Sequence, residues 1–557
     1  MRFRPRLLDT LPDYDRATFA GDAGAGITVG VLALPLAMAF AIASGMSPTA
    51  GIWTAIVAGF LISLLGGSRV QIGGPTGAFI PIIYAIVVDY GVANLLIATM
   101  LAGLMLIAMG AFRLGSMIRF IPISVVIGFT NGIAVVIFLS QIKDFLGLKI
   151  DQLPGEFFGK VSTLAGALGT THLPTVTLAT ASLALLIGWN RLAQRVRWMR
   201  RLPGPLGVLV VGTAVTALFG LPVDTIGSRF GGIPQAVPAL ALPELDLSNL
   251  GKLIAPALTI AMLGAIESLL SARVADGQID DRHDPNQELL AQGAANLIAP
   301  LFGGFAATGA IARTATNIRS GGRTPIAGIL HSVVLLAVVL ALAPLAHHIP
   351  LATLSAIVVM VSVHMGEWHA FKTLGRFSLA YRTVLLSTFF ITVVFDLTLA
   401  VELGLVMASL FFIHRVSDLT RIEPVPQDGA DPRIRIFRLF GSLFFGAANK
   451  LESLLVAADT RPAVIVLSLD KVINIDTTGL EILQNLHRTL AKQGASLVLC
   501  ELNAQPASLI ARSGFAAQLG EANIVGSLEA ALARASACAA KAGEISPSPL
   551  AGASPVP

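Results

Sequence analysis

The stretch Gly303-Gly304-Phe305-Ala306-Ala307-Thr308-Gly309-Ala310-Ile311-Ala312-Arg313-Thr314-Ala315-Thr316-Asn317 decides how this chain must fold. Glycine, alanine and threonine crowd around one arginine, inside a sequence whose flanks are strongly apolar. A continuous lipid-facing helix would not be built this way. Glycine- and hydroxyl-rich backbone at membrane depth is stable only where protein or a water-filled cavity covers its polar groups. An earlier stretch, Gly66-Gly67-Ser68-Arg69-Val70-Gln71-Ile72-Gly73-Gly74-Pro75-Thr76-Gly77-Ala78-Phe79, has the same character. Two interrupted apolar segments in corresponding halves of a chain point to a transport site made from half-helix N-termini. Close helix packing accounts for glycines, but it gives no reason for Arg313. The two stretches therefore read as a binding site.

The composition supplies the setting. Of 557 residues, 54% are hydrophobic and 13% charged, and the mean hydropathy is +0.77. These values exclude an ordinary soluble domain and indicate a polytopic membrane protein. Between Ala23 and Ser68 there is no Asp, Glu, Lys or Arg, room for two crossings of about 20 residues each. The net charge of +5 fits cytoplasmic loops of a protein in a cell (inner) membrane better than a nucleic-acid partner. Cys500 and Cys538 both fall in the C-terminal part, so no disulfide framework is implied. No enzymatic centre, metal site or cofactor site is legible. The nearest approach to a phosphate-binding loop, Gly155-Glu156-Phe157-Phe158-Gly159-Lys160-Val161, has the wrong spacing and no hydroxyl after the lysine.

Residues 1–22 read as a cytoplasmic N-terminal segment and 23–415 as a transmembrane transport domain. Its apolar segments fall at 25–45, 51–65, 75–88, 93–111, 121–140, 174–190 and 205–220, then at 252–272, 288–302, 308–318, 325–345, 351–363, 381–396 and 400–414. That is seven plus seven, with the glycine-rich stretch third in each set. Basic clusters at Arg191, Arg195, Arg197, Arg200 and Arg201, at Arg113 and Arg119, and at Lys372, Arg376 and Arg382 place these loops, with both termini, on the cytoplasmic side. Residues 416–432 read as a linker, and 433–536 as a soluble α/β domain with strand-like 434–437, 464–467 and 496–499 between helical patterns. The Ala-, Ser- and Pro-rich residues 537–557 read as a disordered tail.

Several motifs carry a resemblance. Ile121-Pro122-Ile123-Ser124-Val125-Val126-Ile127-Gly128-Phe129-Thr130-Asn131-Gly132-Ile133 resembles the fifth-helix pattern of the SulP anion permeases. Leu34-Pro35-Leu36-Ala37-Met38-Ala39-Phe40-Ala41 and Gly74-Pro75-Thr76 resemble that family's first and third helices. Asn474-Ile475-Asp476-Thr477-Thr478-Gly479-Leu480 resembles the loop of the STAS domain that follows the permease. The resemblance implies an all-α, uracil-permease-like domain of 14 transmembrane segments in a 7+7 inverted repeat, sorted into core and gate domains, and followed by a cytoplasmic α/β STAS domain. A homodimer is also implied, as is transport of a small inorganic or dicarboxylate anion.

The resemblance places the anion between the N-termini of the third and tenth segments, where unpaired N–H groups and a partial positive charge favour it. On this sequence Thr76, Gly77 and Ala78 would line the site from one side, and Gly309, Ala310, Ile311 and Ala312 from the other. Phe40 would form an apolar wall and Arg313 would add positive charge. Ile311 and Ala312 stand where some relatives have hydroxyls, which argues against a sodium ligand there. The alternative for Thr76 is a hydroxyl bonded to its own helix, and for Phe40 ordinary packing. Glu267 is the acidic residue within the apolar run 262–270, and a membrane-embedded carboxyl is by default functional. It reads as the coupling group for a co-transported proton, with sodium as the competing ion and a permanent pair with Arg313 as the structural alternative. His331 reads as a packing residue. In the STAS-like domain Asp476 reads as a helix N-cap, with Thr478, then Thr477, as the position a regulatory phosphate would occupy. The whole reads as a proton-coupled secondary transporter of a C4-dicarboxylate, bicarbonate or sulfate, working by an elevator-type motion. An uncoupled exchanger or channel, or a sodium-coupled bicarbonate symporter, is the alternative.

Overall fold

The computed structural model describes residues 3–116, 122–192, 203–243, 250–395, 397–426, 431–444 and 462–544. The chain divides into two compact units, 1–405 and 406–557. The basic cluster from Arg195 to Arg201, Arg119, and the tail from residue 545 lie outside the described residues.

In the first unit the helices start where the sequence supplies caps. Asp15 accepts the Thr18 amide at 2.7 Å and opens α1, Arg16–Ala43, inside the stretch expected to be a lead-in. Ser47 with Pro48 opens α2, Pro48–Leu65. A two-residue strand β1, Gly73–Gly74, and a short turn lead into α3, Ile80–Ala111. At Gly91 (φ 83°) α3 breaks, a backbone conformation that glycine adopts without steric cost; the break separates the third and fourth apolar segments. There follow α4, Ile123–Leu146; α5, Phe157–Ala167; α6, Leu173–Leu192; α7, Gly204–Phe219; and α8, Leu250–Ile279. Asp284 with Pro285 caps α9, Pro285–Ile298. Strand β2, Thr308–Gly309, precedes α10, Ile311–Arg319. The unit continues with α11, Pro325–Ala346, α12, Leu351–Met365, and α13, Leu379–Val394, and α14, Leu397–Leu419, leads out of it.

Each apolar segment drawn from the sequence overlaps a helix; the third and fourth share α3, and the two glycine-rich segments begin in extended backbone. Among the described residues, six spans are long and apolar enough to cross a membrane, or seven if the bent pair Phe157–Thr170 and Leu173–Trp189 is one span; Gly204–Phe219, Pro325–Ala341 and Leu379–Val394 are shorter apolar helices. Helix α5 was not expected from hydropathy. Helices α1, α2, α3, α8, α9 and α11 pack on one another, and α4, α6, α7, α12 and α13 form a second group. Each group draws helices from both halves of the sequence. Packing in the first group is close: a Cβ on Gly103 of α3 would meet the Gly293 carbonyl of α9 at 2.7 Å, the small-residue contact that lets helices associate where lipid provides no hydrophobic drive.

Among the described residues, the second unit holds a five-stranded sheet in the order β3 (Arg421–Pro424), β4 (Ile434–Leu443), β5 (Val464–Ile475), β6 (Ser496–Cys500), β7 (Ile524–Val525). The β3–β4 pair is antiparallel and the other pairs are parallel. Helices α15 (Thr477–Lys492) and α16 (Ala504–Arg512) cover one apolar face, and α17 (Leu528–Glu544) covers the other. Two boundaries differ from the sequence reading. Strand β3 falls in the expected linker, because a four-residue edge strand ahead of a Pro-, Gln- and Asp-containing connection leaves no period to detect. Helix α17 runs eight residues into the expected tail, to Glu544, because its alanines pack at Ala531, Ala535 and Ala539 on the sheet.

Candidate functional site

The two glycine-rich stretches cross. Gly73 pairs with Gly309 and Gly74 with Thr308 in an antiparallel ladder, and the Ala310 amide donates to the Ile72 carbonyl at 2.8 Å. Extended backbone at this depth has no helix to satisfy it, so buried side chains do so. The Thr314 hydroxyl accepts the Ile72 amide at 3.1 Å, and Asn317 Nδ2 donates to the Val70 carbonyl at 2.9 Å. Asn296 takes both groups of Ala307, its Nδ2 donating at 2.9 Å and its Oδ1 accepting at 2.8 Å. Thr54 Oγ1 accepts the Phe305 amide at 2.8 Å, and Thr308 Oγ1 donates to the Gly264 carbonyl at 2.9 Å. The Glu288 carboxylate, fully buried, accepts the amides of Gly67 at 2.9 Å and Ser68 at 3.2 Å and the Gln292 amide at 3.0 Å. Such satisfaction is what allows irregular backbone inside a membrane protein.

Beside the crossing lies a cavity of about 510 Å³. Its lining includes Phe40 of α1, then Thr76, Gly77 and Ala78 ahead of α3, Glu267 of α8, and Ala310, Ile311, Ala312 and Arg313 at the start of α10. The first turns ahead of α3 and α10 thus both border the same space, with the orphan amides that helix starts carry. Arg313 is only 2% exposed. Its Nη2 donates to the Pro75 carbonyl at 2.9 Å, while Nη1 has no hydrogen-bond partner. Thr76 Oγ1 is buried and also unpartnered, so the alternative of a hydroxyl bonded to its own helix does not occur. Glu267 is half-buried on the cavity wall, and no ion pair joins it to Arg313 among the described residues; the permanent pair is absent.

One expected residue is elsewhere. Gly309 does not line the cavity; a Cβ there would lie 1.5 Å from Gln71 Nε2. Gln71 in turn donates to the Ser268 carbonyl at 3.2 Å and to Ser268 Oγ at 3.1 Å. Gly309 is glycine to admit Gln71 rather than a ligand. Gly74, at φ 148°, likewise makes room for protein: a Cβ there would meet Arg313 Nη1 at 2.3 Å. His331, on α11, is buried where that helix packs on α1 and α2, and it does not line the cavity.

The sequence did not reveal the opposite wall, which comes from Thr130, Met360, His364, Met365 and Glu367 on and beyond α4 and α12. Nor did it reveal Glu288, which follows Asp284-Pro285 and so reads as an acid in a helix's first turn. Asp22, also fully buried, caps the start of α11 by accepting the Arg323 amide at 2.8 Å, the Thr324 amide at 3.2 Å and the Thr324 hydroxyl.

In the second unit Asp476 caps α15, accepting the Gly479 amide at 2.7 Å. A Cβ on Gly479 would meet the Leu443 carbonyl at 2.2 Å. Thr477 is exposed and Thr478 half-buried.

The sequence model of the sulfate permease family matches residues 19–388, a range that holds both crossing stretches and the helices around the cavity. The chain belongs to the sulfate permease family. In this permease a STAS domain matches at residues 426–531, which takes in β4 to β7. The permease is 42% identical over 529 residues to YvdB of Bacillus subtilis (strain 168), provisionally named a sulfate transporter, covering 94% of this chain and 98% of that one. It is 31% identical over 504 residues to the bicarbonate transporter BicA of Synechocystis, covering 86% and 87%. The solved transmembrane domain of a cyanobacterial bicarbonate transporter BicA superposes with a TM-score of 0.62 at 33% identity, over 71% of this chain and 98% of that one. The overall structure of SLC26A9 superposes with a TM-score of 0.85 at 19% identity, over 97% and 93%, which bears on the fold alone. The permease is an anion transporter and not an enzyme.

Proposed function

We propose that the permease is a secondary active transporter that binds one small anion between the starts of α3 and α10 and couples its movement to a proton through Glu267. The observation that carries this reading is the pair of buried, unpartnered polar groups, Thr76 Oγ1 and Arg313 Nη1, on the wall of one cavity. An anion there receives a hydroxyl, a guanidinium and orphan helix-start amides together. Phe40, Ala310, Ile311 and Ala312 keep the surroundings apolar, which strengthens each of those contacts. Glu267 on the same wall has no ion-pair partner among the described residues, so its protonation is free to follow the anion's arrival and departure.

Sulfate, bicarbonate and a C4-dicarboxylate such as fumarate all suit this donor set. The similarity to proteins named as bicarbonate and sulfate transporters favours those two inorganic anions. A sodium-coupled bicarbonate symporter is the second reading, supported by the likeness to BicA; Ile311 and Ala312 offer no hydroxyl ligand, which weighs against it. The interleaving of helices from both halves into two groups supports a 7+7 inverted repeat of fourteen spans, and an elevator-type displacement of the α1, α2, α3, α8, α9, α10 and α11 group against the other. We also place the permease in the cell membrane as a homodimer, with both termini and the STAS domain cytoplasmic, and regard Thr478 or the more exposed Thr477 as a phosphate position at the α15 N-terminus.

Uptake of labelled sulfate, bicarbonate and fumarate into proteoliposomes, with and without a pH gradient, tests the proposal. One of these anions should accumulate with inward proton flow. In Glu267→Gln the stimulation by the gradient should vanish; uptake that still follows the proton gradient in that variant overturns the coupling assignment.

A further inference from the structure

A second cavity, of about 380 Å³, lies along the same helices as the first. On α3 its lining starts at Pro81, one turn beyond Gly77 and Ala78; on α4 it includes Val136 and Leu139, beyond Thr130; on α8 it includes Thr259, ahead of Glu267. The shift runs toward the C-terminus on α3 and α4 and toward the N-terminus on α8. The eight residues from Thr259 to Glu267 correspond to about 12 Å of helix. Between the two spaces Gly77 approaches Phe40 and Ile137, and both side chains are buried. Phe40 and Gly77 line the first cavity and Ile137 follows Val136 of the second, so this apolar contact stands as a plug between the two linings.

Into the second cavity projects Lys160 of α5, the helix that hydropathy did not reveal. Lys160 is 5% exposed. Its Nζ lies 5.6 Å from the centroid of the Tyr84 ring, and that ring is fixed by the Tyr84 hydroxyl, which donates to the Leu153 carbonyl at 2.6 Å. Lys160 Nζ makes no hydrogen bond or ion pair among the described residues, and Asp89, the carboxylate on the same lining, is exposed and does not pair with it. The aromatic face satisfies the ammonium on one side, and its other side is turned to the cavity. Among the described residues no carboxylate pairs with the ammonium on the side it turns to the cavity.

We propose that Lys160 holds a second anion site, a capture site for a small oxyanion at the far mouth of the translocation cleft. Its place on the path rests on reading the first cavity as the central site; binding at Lys160 stands on its own geometry. An anion held there would wait against the plug on α3 and α4, and enter the central site when the cleft opens on that side.

The test uses the full chain in lipid nanodiscs with Cys500→Ala and Cys538→Ala, and with Leu139→Cys as a reporter on the cavity wall. A sulfonate-bearing thiol reagent should react there about tenfold faster than its trimethylammonium analogue, a difference of about 1.4 kcal/mol. Lys160→Gln should abolish that preference and Lys160→Arg should keep it, while a neutral reagent reacts alike in all three and so reports an intact cavity. Sodium sulfate or bicarbonate should slow the sulfonate reagent in the Lys160 protein, and should still do so after Arg313→Ala, which disables the central site. A reagent preference that survives Lys160→Gln overturns the proposal. So does anion protection that disappears with Arg313→Ala, because the anion would then be acting from the central site alone.

Discussion

Arg313→Met should stabilise the permease in anion-free buffer and destabilise it, relative to wild type, once the anion is added. The reasoning starts from burial: Arg313 is 2% exposed, holds one hydrogen bond through Nη2 to Pro75, and leaves Nη1 without a partner. Removing the guanidinium loses that charged hydrogen bond, about 1.5–3 kcal/mol. It also relieves the desolvation of a cation with no counter-ion, several kcal/mol. The methionine stem fills most of the space the arginine stem occupied. Relief outweighs loss, so the empty variant gains about 1–2 kcal/mol. Bound anion reverses the order, because at a concentration 100 times its Kd it adds about 2.7 kcal/mol to wild type and nothing to the variant. The assay is thermal unfolding of the full chain in nanodiscs across an anion titration. The wild-type and variant midpoints should cross, with the variant higher at zero anion. A variant that melts lower at zero anion, with an anion shift equal to wild type, refutes the assignment of Arg313 as the anion's unpaired partner.

Gly309→Ala should impair folding or transport severely, since its Cβ would lie 1.5 Å from Gln71 Nε2; Gln71→Ala in the same chain should restore part of the loss, and strict additivity in the double-mutant cycle would show that the two do not touch. Cys500 is buried, and burial together with the nearby Glu501 and Asp470 charges pushes its thiol up to about 12, so it should resist alkylation in the folded chain at pH 7 while Cys538 reacts first; equal rates for the two count against the β6 packing. Burial alone would raise the Asp281 carboxyl, but the Arg282 amide, Arg6 and Arg69 together hold it below the usual range. Its contribution is therefore present above the unfolded value, about pH 4, and lost as pH falls through the folded value. Proteolysis within residues 3–15 should accelerate on that acidification, and at neutral pH in Asp281→Asn; an N-terminal cleavage rate that is flat with pH contradicts the anchor.

The permease was legible where its chemistry violates the rule for lipid-facing helix. Arg313, Thr76 and the glycines around them stand out because apolar flanks leave nothing else polar to explain, and Glu267 stands out for the same reason. What the sequence withheld depends on which residues meet across long separations. Gly309 has the same glycine-rich neighbours as Gly77, yet one packs on Gln71 and the other faces the cavity, and only the crossing of the two strands decides which. Glu288 looks like an ordinary helix-start acid, and Asp22 like the last residue of a lead-in, until the backbone amides they accept, from segments more than 200 positions away, are placed beside them. Helix α5 is short and carries Lys160 in its middle, so hydropathy passes over it. Strand β3 has too few residues to show a period before its partner β4 is known.

The central claim is that one anion sits between the starts of α3 and α10. It is tested most directly by determining the structure of the full chain with whichever of sulfate, bicarbonate or fumarate the liposomes accumulate. The anion should lie within hydrogen-bond reach of Thr76 Oγ1 and Arg313 Nη1. An anion found outside that cavity, with Thr76 and Arg313 untouched, would contradict the account.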